Sequence, residues 1–252
     1  MATRLITIPF SHYCEKARWA LDRVGVAYTE DAHLPLFHYL PARRAGGSRT
    51  VPVLVDGETV IADSTDIIAW ADARDPGALL PSDPVDRAAA LQLEDDFDLA
   101  LGPASRRWAY FQVLGRRELE ALMFRAVPRW ERLALAATRP LAVRFLSRSL
   151  KIDAAGAERS RQKIDDAFAR VGELVADGRR FLVGNRFTVA DLTFAALAAP
   201  ILLPPGYAAP LPALADFSGE PRARIDAWRA SPAGQFALRI YDTERAPARR
   251  AA

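Results

Sequence analysis

The sequence predicts an α/β domain with a mixed four-stranded sheet, followed by an all-helical domain. Three observations support this prediction. A helical pattern separates two short apolar strands near the N-terminus, so those strands are parallel. Asp56-Gly57 stands between two further apolar runs and is a strong hairpin signal. Strand signals then stop after Pro84, and the rest of the chain has helical periodicity.

The first three elements form a βαβ unit with a strand over 3–8, a helix over 12–24 and a second strand over 26–30. In the helix, apolar residues recur at spacings of three and four and share one face: Cys14, Ala17, Leu21 and Val24. Ser11 therefore lies where a strand leads into a helix N-terminus. Free backbone N–H groups and the positive end of the helix dipole favour an anion there, whereas a plain N-cap is the alternative role of this hydroxyl.

Two further strands and a helix complete the first domain. Residues 34–47 contain two prolines and a Gly-Gly pair, which predict a loop with room for one helical turn. Strands over 51–55 and 59–61 form the hairpin. Asp63 or Ser64 then caps a helix, because short side chains with oxygen atoms accept hydrogen bonds from the free N–H groups of a first helical turn.

A proline-rich segment sets the domain boundaries. We place the α/β domain at residues 1–77, a linker at 78–83 and the all-helical domain at 84–252. Periodicity predicts six helices in the second domain: 84–111, 115–137, 139–150, 154–177, 189–199 and 222–238. The prolines within 200–221 predict an ordered surface loop, and the last ten residues are expected to fray.

The composition argues against several classes of function. The formal charge is only +3, and the cationic residues are arginines apart from three lysines, spread along all 252 residues. We therefore expect no nucleic-acid partner. A single cysteine excludes an intrachain disulfide. No motif for a metal ion or a nicotinamide is present. No signal-peptide pattern and no apolar run of about 18 residues is found, so we expect a cytoplasmic protein without a membrane partner.

Four segments, together with the order of the elements, carry a resemblance to a known family. Residues 11–21 have a serine at a helix start, followed by an arginine and an Ala-Leu pair. Residues 50–54 place a Val-Pro pair before a strand, and 62–68 contain an acidic-Ser-x-x-Ile pattern. Residues 188–191 form a capping box. As a set they resemble the cytosolic glutathione S-transferases over nearly the whole chain.

The resemblance implies a thioredoxin-like first domain, glutathione as co-substrate, no metal and a homodimer. It gives Ser11 the catalytic role, in which the hydroxyl donates a hydrogen bond to the sulfur of the thiol and favours the thiolate near the helix N-terminus. It also implies a cis peptide between Val51 and Pro52, beside which a cysteinyl peptide docks like an added strand. An ordinary trans proline at a strand start is the alternative.

The same resemblance assigns residues to the charged ends of glutathione. Ser64 and its backbone N–H would bind the γ-glutamyl carboxylate, and Asp63 would face the ammonium group. Both residues could instead be plain helix caps. Arg49, together with Arg43 or Arg44, is a candidate for the glycyl carboxylate, and the alternative is a solvated surface position.

Two residues in the first motif depart from the family pattern. Glutaredoxin-like members have Cys-x-x-Cys where this chain has Ser11-x-x-Cys14. Cys14 thus holds the second position of the thiol site, and its place on the apolar helix face favours a structural role. His12 stands where many relatives have proline, and we include it among the residues of the electrophile pocket.

The helical domain is expected to supply the rest of that pocket. Trp108, Tyr110 and Phe111 lie on the fourth helix and are the candidates for its walls, with a plain core role equally open. Residues 115–152 are longer than the usual helical hairpin of the family. They are apolar enough to pack, either over the substrate site or over the dimer surface.

The favoured function is a detoxifying transferase that activates glutathione, or a related small thiol, for attack on small apolar electrophiles. One alternative is a catalytically silent member of the fold that serves in binding or regulation. Another is a thioltransferase or deglutathionylase that uses Cys14. The presence of the whole set of thiol-site residues favours a working enzyme, while the electrophile and the identity of the thiol stay open.

Overall fold

The computed structural model describes residues 2–245, and within them the predicted four-stranded mixed sheet is confirmed. Its strands are β1 Arg4–Thr7, β2 Thr29–Ala32, β3 Val53–Asp56 and β4 Thr59–Ile61. The spatial order is β2-β1-β3-β4, with β1 parallel to β2 and antiparallel to β3. The β3–β4 hairpin turns at Gly57, whose φ of 61° lies in the left-handed region that glycine adopts readily.

Three helices cover the two faces of this sheet. They are α1 His12–Arg23, α2 Tyr39–Arg44 and α3 Ser64–Asp72. On one face, apolar residues of α1 and α3 pack against apolar residues of the sheet and of the approach to β2: Leu5, Ala17, Leu21, Tyr28, Leu54 and Ile67. On the other face Ala42 of α2 packs against Ile6 and Val53. The helix α2 occupies part of the segment predicted as a loop with one helical turn.

Over residues 84–245 the second domain has seven α-helices, and their packing confirms the predicted all-helical architecture. They are α4 Pro84–Val113, α5 Arg117–Met123, α6 Arg129–Ser149, α7 Ala154–Leu174, α8 Val189–Leu202, α9 Gly219–Ala230 and α10 Pro232–Glu244. The central helix is α8, in which every residue except Pro200 is buried. It begins with the predicted capping box, in which the Thr188 N–H donates to Asp191 Oδ2 at 2.8 Å.

The predicted strand over 26–30 is wrong at its start, because β2 begins at Thr29. Gly25 has a φ of 72°, and the Val26 N–H donates to the Leu21 carbonyl oxygen at 3.0 Å. This bond still belongs to the end of α1. The chain therefore joins the sheet only where the Thr29 N–H reaches the Thr3 carbonyl oxygen at 2.9 Å.

The predicted helix boundaries near prolines also differ from the structure. We expected breaks near Pro140 and Pro200, yet α6 and α8 continue through both residues. A proline removes one helical hydrogen bond, and in α8 the burial of the flanking turns outweighs that loss. The reverse error occurs at 115–137 and at 222–238, each predicted as one helix. In the first, α5 ends at Met123 and α6 begins at Arg129, after Pro128. Ser231 ends α9 and caps α10 by accepting the Gly234 N–H at 3.1 Å.

The chain end described by the structure is held in place. The prediction of fraying fails for 243–245, since α10 extends to Glu244 and the Arg245 side chain is buried. Its guanidinium lies 2.9 Å from Glu15 Oε1 and 2.8 Å from Asp22 Oδ2 on α1. The remainder of that prediction, residues 246–252, lies outside the described residues.

A buried ion pair fixes α1 against α4. Lys16 Nζ lies 3.0 Å from Glu94 Oε1 and 2.7 Å from Asp98 Oδ2, and the Lys16 side chain is wholly buried. The start of α1 is thereby held beside the second domain, which is where the candidate site forms. No helix within 2–245 is long and apolar enough to cross a membrane.

Candidate active site

A cavity of about 300 Å³ lies between the sheet domain and the helical domain. Ser11, Arg49 and Val51 line it from the first domain. Trp108 and Tyr110 of α4 line it from the second. The structure thus brings residues predicted for the thiol site and residues predicted for the electrophile pocket to one cavity. No cluster of three or more His, Cys, Asp or Glu side chains suited to a metal ion occurs in the described chain.

Ser11 is the N-cap of α1 and also lines the cavity. Its Oγ accepts the Cys14 N–H at a long 3.4 Å, and its own N–H donates to the Ile8 carbonyl oxygen at 2.9 Å. Capping uses only a lone pair of the hydroxyl oxygen, so the O–H remains able to donate. The cap and the hydrogen bond to a ligand in the cavity are therefore compatible roles of the same side chain.

Cys14 is fully buried and does not line the cavity. Burial raises the pKa of its thiol to about 11, against smaller opposing effects of Arg18 and of the Ser11 hydrogen bond. Near neutral pH such a thiol stays protonated, and a protonated thiol is a poor nucleophile. The position favours the structural role.

The predicted cis peptide between Val51 and Pro52 is confirmed. Val51 lines the same cavity as Ser11, while Pro52 is buried behind it. The segment before it is held by His38, whose Nε2 lies 3.1 Å from the Arg49 carbonyl oxygen. Arg49 itself has an exposed side chain at the cavity edge.

Arg43 and Arg44, the other candidates for the glycyl carboxylate, are exposed on α2 and do not line the cavity. Two arginines on a six-residue surface helix have no contact with the site in this structure. Of the three arginines named from the sequence, only Arg49 reaches the cavity wall.

Asp63 and Ser64 lie at the N-terminus of α3, outside the residues that line the main cavity. Asp63 is the N-cap, and its Oδ1 accepts the Thr65 N–H at 2.8 Å. Ser64 is 2% exposed, and its hydroxyl makes no hydrogen bond with the described residues. Asp98 of α4 is near this site: burial chiefly raises the pKa of its carboxyl, and the charge of Asp63 also raises it, against the Lys16 ammonium.

Two of the three predicted aromatic walls face the cavity. Trp108 is buried with its ring centroid 4.8 Å from that of Trp228, and Tyr110 lies edge-on to Phe10 at 6.3 Å. The prediction that Phe111 is a wall of the pocket is wrong, because Phe111 is 41% exposed and does not line the cavity. Successive helical residues point about 100° apart, so the residue after Tyr110 leaves the cavity face.

His12 lines the cavity but is also bonded to the second domain. Its Nε2 lies 2.9 Å from the carbonyl oxygen of Gly102 on α4. Burial, followed by the charge of Arg106, lowers the pKa of the imidazole to about 3. The ring is therefore neutral near neutral pH, and Nε2 carries the proton that it donates to Gly102. This bond fixes His12, the residue that follows Ser11, against α4.

The enlarged 115–152 region packs over the substrate side of the site. Met123 of α5 and Leu146 of α6 line the cavity. Glu131 of α6 anchors this cover to the first domain: its Oε1 lies 2.6 Å from His33 Nδ1, and its Oε2 accepts the Leu34 N–H at 2.8 Å. Of the two placements left open by the sequence, the structure has the one over the site.

Sequence reasoning missed three features of the site. One is Arg106, which lines the cavity one helical turn before Tyr110. The second is the 33–39 segment, which contributes Pro35 and Leu36 to the wall. The third is His38, the link to Arg49. The spacing of Arg106 and Tyr110 was a usable signal, since residues i and i+4 share a helix face.

Comparisons with known proteins agree with this architecture. The model of the glutathione S-transferase N-terminal domain matches residues 5–79, and that of the C-terminal domain matches 154–230. Among curated proteins, no relative matches the chain.

Solved structures share the fold at low sequence identity. A glutathione S-transferase from Methylobacterium radiotolerans, in complex with glutathione sulfonate, has a TM-score of 0.60 at 19% identity, covering 100% of this chain and 98% of that one. One from Xanthobacter autotrophicus has a TM-score of 0.62 at 17%, with 96% and 93% covered. The β-etherase LigF of Sphingobium sp. has 0.57 at 19%, with 95% and 99% covered.

The two family models fall on the sheet domain and on the helical domain, and together they cover more than half of the chain. The conclusion from sequence, fold and comparison is the same: the chain belongs to the glutathione S-transferase family.

Proposed function

We propose that this protein is a transferase that activates glutathione through Ser11 and passes its sulfur to a small electrophile of largely apolar character. The observation that carries the proposal is the shared cavity. Ser11 and Val51 open onto it from the sheet domain, and Trp108 and Tyr110 line it from the helical domain. A thiol held on the first side meets an apolar substrate held on the second.

Ser11 supplies the activation in this proposal. Its O–H, left free by the capping geometry, donates a hydrogen bond to the sulfur at the positive end of α1. Lowering a thiol pKa by about two units corresponds to roughly 2.7 kcal/mol. One hydrogen bond to a charged group contributes about 1.5–3 kcal/mol, so this hydroxyl and the helix end are sufficient in magnitude.

The remaining contacts suit the charged ends of glutathione. Ser64 offers a free hydroxyl and the N-terminus of α3 to a carboxylate. Asp63 is close enough to Asp98 for its negative charge to raise the pKa of the Asp98 carboxyl. A ligand ammonium between the two carboxylates would relieve this repulsion. Arg49 at the cavity edge is the cation for the second carboxylate. The residues present therefore fit the tripeptide.

The reaction follows from this placement. Ser11 stabilises the sulfur as a thiolate, and the thiol proton goes to solvent. A carbon–sulfur bond then forms at the electrophilic carbon while the leaving group departs with its electron pair. Val51 holds the cysteinyl part of the ligand through its backbone groups, in the manner of strand addition.

The two alternatives are weaker. A thioltransferase would need an exposed thiolate, and the burial and raised pKa of Cys14 argue against it. A silent binding protein has no feature here that favours it over a working site. The homodimer and the cytoplasmic location implied by the family stay part of the proposal, and light scattering of the purified protein tests the first.

The proposal is tested by calorimetric binding of glutathione, run beside cysteine and coenzyme A, followed by a pH titration of the bound thiol. We expect glutathione to bind best, and Ser11→Ala to raise the thiol pKa by at least about one unit and lower turnover of an aryl halide about tenfold. Cys14→Ala is the matched control and should retain both the wild-type pKa of the bound thiol and the wild-type turnover. The loss of turnover in Cys14→Ala, with Ser11→Ala intact, would transfer the reaction to Cys14.

A further inference from the structure

The cavity wall carries positively charged side chains that a purely apolar substrate would not need. Among residues 2–245, those that line the cavity include two arginines, Arg49 and Arg106, and no aspartate or glutamate. The histidines there do not add charge near neutral pH, because burial lowers the pKa of both His12 and His38. The described wall is therefore net positive.

Arg106 has no acceptor for its guanidinium among the described residues, although it is partly buried. The guanidinium of Arg107, the next residue on α4, does have hydrogen-bond acceptors. Arg107 donates from Nε to the Leu150 carbonyl oxygen at 2.8 Å and from Nη1 to Ser160 Oγ at 2.9 Å, so its guanidinium serves the packing of α4 on its neighbours. A partly buried cation without a partner is costly unless a ligand supplies one.

The position of Arg106 separates it from the thiol-binding residues. It lies one turn after Gly102, which bonds His12, and one turn before Tyr110. Its charge acts on both neighbours, since it is the second cause of the lowered pKa of His12 and offsets part of the rise in the pKa of Tyr110. Arg49, by contrast, enters the cavity from the segment before β3.

Tyr110 adds a second donor at this place. Burial raises the pKa of its phenol to about 12, so the hydroxyl keeps its proton. The hydroxyl makes no hydrogen bond with residues 2–245, and the ring lines the cavity. A guanidinium and a phenol one helical turn apart form a suitable receptor for a carboxylate, in a wall that also has many aromatic and aliphatic side chains.

We propose that Arg106, assisted by Tyr110, binds a permanent anionic group on the second substrate, so that the electrophile is an aromatic or otherwise apolar molecule that carries a carboxylate. The inference rests on the proposed transferase function and names its substrate class. A carboxylate in this cavity pairs with the cation that the fold leaves without a partner, whereas a neutral electrophile does not.

Two matched aryl chlorides test the inference: para-chloro-meta-nitrobenzoate and the corresponding benzamide. In both, the glutathione sulfur bonds to the ring carbon that carries chlorine, chloride leaves with the electron pair, and the thiol proton goes to solvent. The ratio of kcat/KM for benzoate over benzamide, each divided by the uncatalysed rate, is the readout. We expect the wild type to favour the benzoate by at least about tenfold.

Variants at Arg106 separate a substrate anion from charge that develops during the reaction. Arg106→Met should reduce the benzoate preference by at least about tenfold, and Arg106→Lys should retain part of it. Arg87→Met, an exposed arginine on the same helix, should leave the ratio unchanged. An equal fall for both substrates in Arg106→Met would assign the residue to the transition state or to the thiol, and would overturn the inference.

A binding measurement keeps the inference distinct from the proposed function. Calorimetry with unreactive meta-nitrobenzoate and meta-nitrobenzamide needs no turnover. Preference for the benzoate that disappears in Arg106→Met supports the anion site even if the enzyme is inactive. Equal binding of the two compounds to the wild type overturns it. Absence of binding of S-methylglutathione, measured separately, would instead reject the transferase function.

Discussion

His12 Nε2 lies 2.9 Å from the carbonyl oxygen of Gly102, and this bond joins the start of α1 to the middle of α4. The residue before His12 is Ser11, the proposed thiol activator. Since the pKa of His12 is lowered to about 3, the bond has a neutral imidazole as donor over the whole physiological range. The position of the Ser11 hydroxyl thus depends in part on a buried imidazole whose protonation is opposed by burial rather than by the bond itself.

The neutral state of His12 predicts a pH dependence of folding stability. Unfolded histidine takes up a proton near its ordinary pKa of 6.5, whereas the folded residue does so only near 3. Between these values the unfolded state binds more protons, so stability falls as the pH is lowered. The contribution of His12 approaches about 1.4 kcal/mol per pH unit below the upper value. Urea unfolding at a series of pH values measures it.

His12→Gln is the matched variant for that experiment, because its amide can donate to Gly102 but does not titrate. We expect it to unfold with a shallower loss of stability between neutral and mildly acidic pH than the wild type. His12→Leu, which has no donor, should also lower turnover through displacement of Ser11. Identical pH profiles for wild type and His12→Gln would show that His12 titrates normally.

The parts of the site that sequence could predict are those with a local signal. Ser11 stands at a strand-to-helix transition, and Val51 precedes a proline before a strand, so the sequence alone is enough to predict the positions of both. Phe111 was misplaced, because an apolar segment of a long helix does not show which face its partners cover. Arg106 was missed for the opposite reason. An arginine on a helix is normally solvated, so its one sequence signal, the position four residues before Tyr110, is too weak to place it in a cavity wall before the packing is known.

The helix boundaries show the same division. Caps such as Thr188 with Asp191 are local hydrogen-bonding patterns and were predicted correctly. Breaks at Pro140 and Pro200 were wrong, since both helices continue through their proline, and in α8 the buried turns on both sides outweigh one lost hydrogen bond. The anchoring of α6 by Glu131 depends on a residue 98 positions away in the chain, which no local pattern reveals.

Removal of the Asp63 or Ser64 side chain tests the γ-glutamyl contacts. Asp63→Ala and Ser64→Ala should each weaken binding of S-methylglutathione by roughly 1–3 kcal/mol, because each leaves a charged ligand group short of a partner. Loss of the cap should cost only about 1 kcal/mol of folding stability. Calorimetry and urea unfolding give the two values.

Asp83→Ala provides the matched control for that pair. Asp83 caps α4 in the same way, with Oδ1 accepting the Val85 N–H at 2.9 Å, and it does not line the cavity. The Asp83→Ala variant should lose a similar free energy of unfolding and should bind S-methylglutathione as tightly as the wild type does. If Asp63→Ala and Ser64→Ala bind as tightly as Asp83→Ala does, neither residue has a ligand role, and Asp63 serves only as the cap of α3.

The burial of Cys14 predicts slow chemical modification. With a pKa of about 11, against an ordinary value of 9.0, the folded thiol is deprotonated about 100-fold less often in mildly alkaline solution, and it is also sterically covered. Iodoacetamide should therefore label the native protein at least about 100-fold more slowly than the urea-unfolded protein. Mass spectrometry of quenched time points measures both rates. Comparable rates would mean that the thiol is accessible, and the thioltransferase interpretation would regain support.

Gly102 allows α1 to approach α4, and this predicts an unusual effect of a small substitution. A Cβ at Gly102 would lie 2.2 Å from the Tyr13 hydroxyl oxygen and 2.8 Å from its ring carbon Cζ. Alanine normally stabilises a helix interior by about 0.5–1 kcal/mol relative to glycine. Here the contact must instead displace Tyr13, whose hydroxyl donates to the Asp98 carbonyl oxygen at 3.0 Å. We expect Gly102→Ala to destabilise the protein by about 1–3 kcal/mol.

Gly172→Ala in α7 separates this effect from helix propensity. A Cβ there would meet only Pro232 at 4.0 Å, an ordinary contact, so the variant should gain about 0.5–1 kcal/mol. Tyr13→Phe combined with Gly102→Ala removes the closest atom and should recover part of the stability. Because Gly102 also accepts the His12 bond, Gly102→Ala should lower turnover as well, whereas Gly172→Ala should not. A stabilised and fully active Gly102→Ala protein would show that the contact between α1 and α4 does not position Ser11.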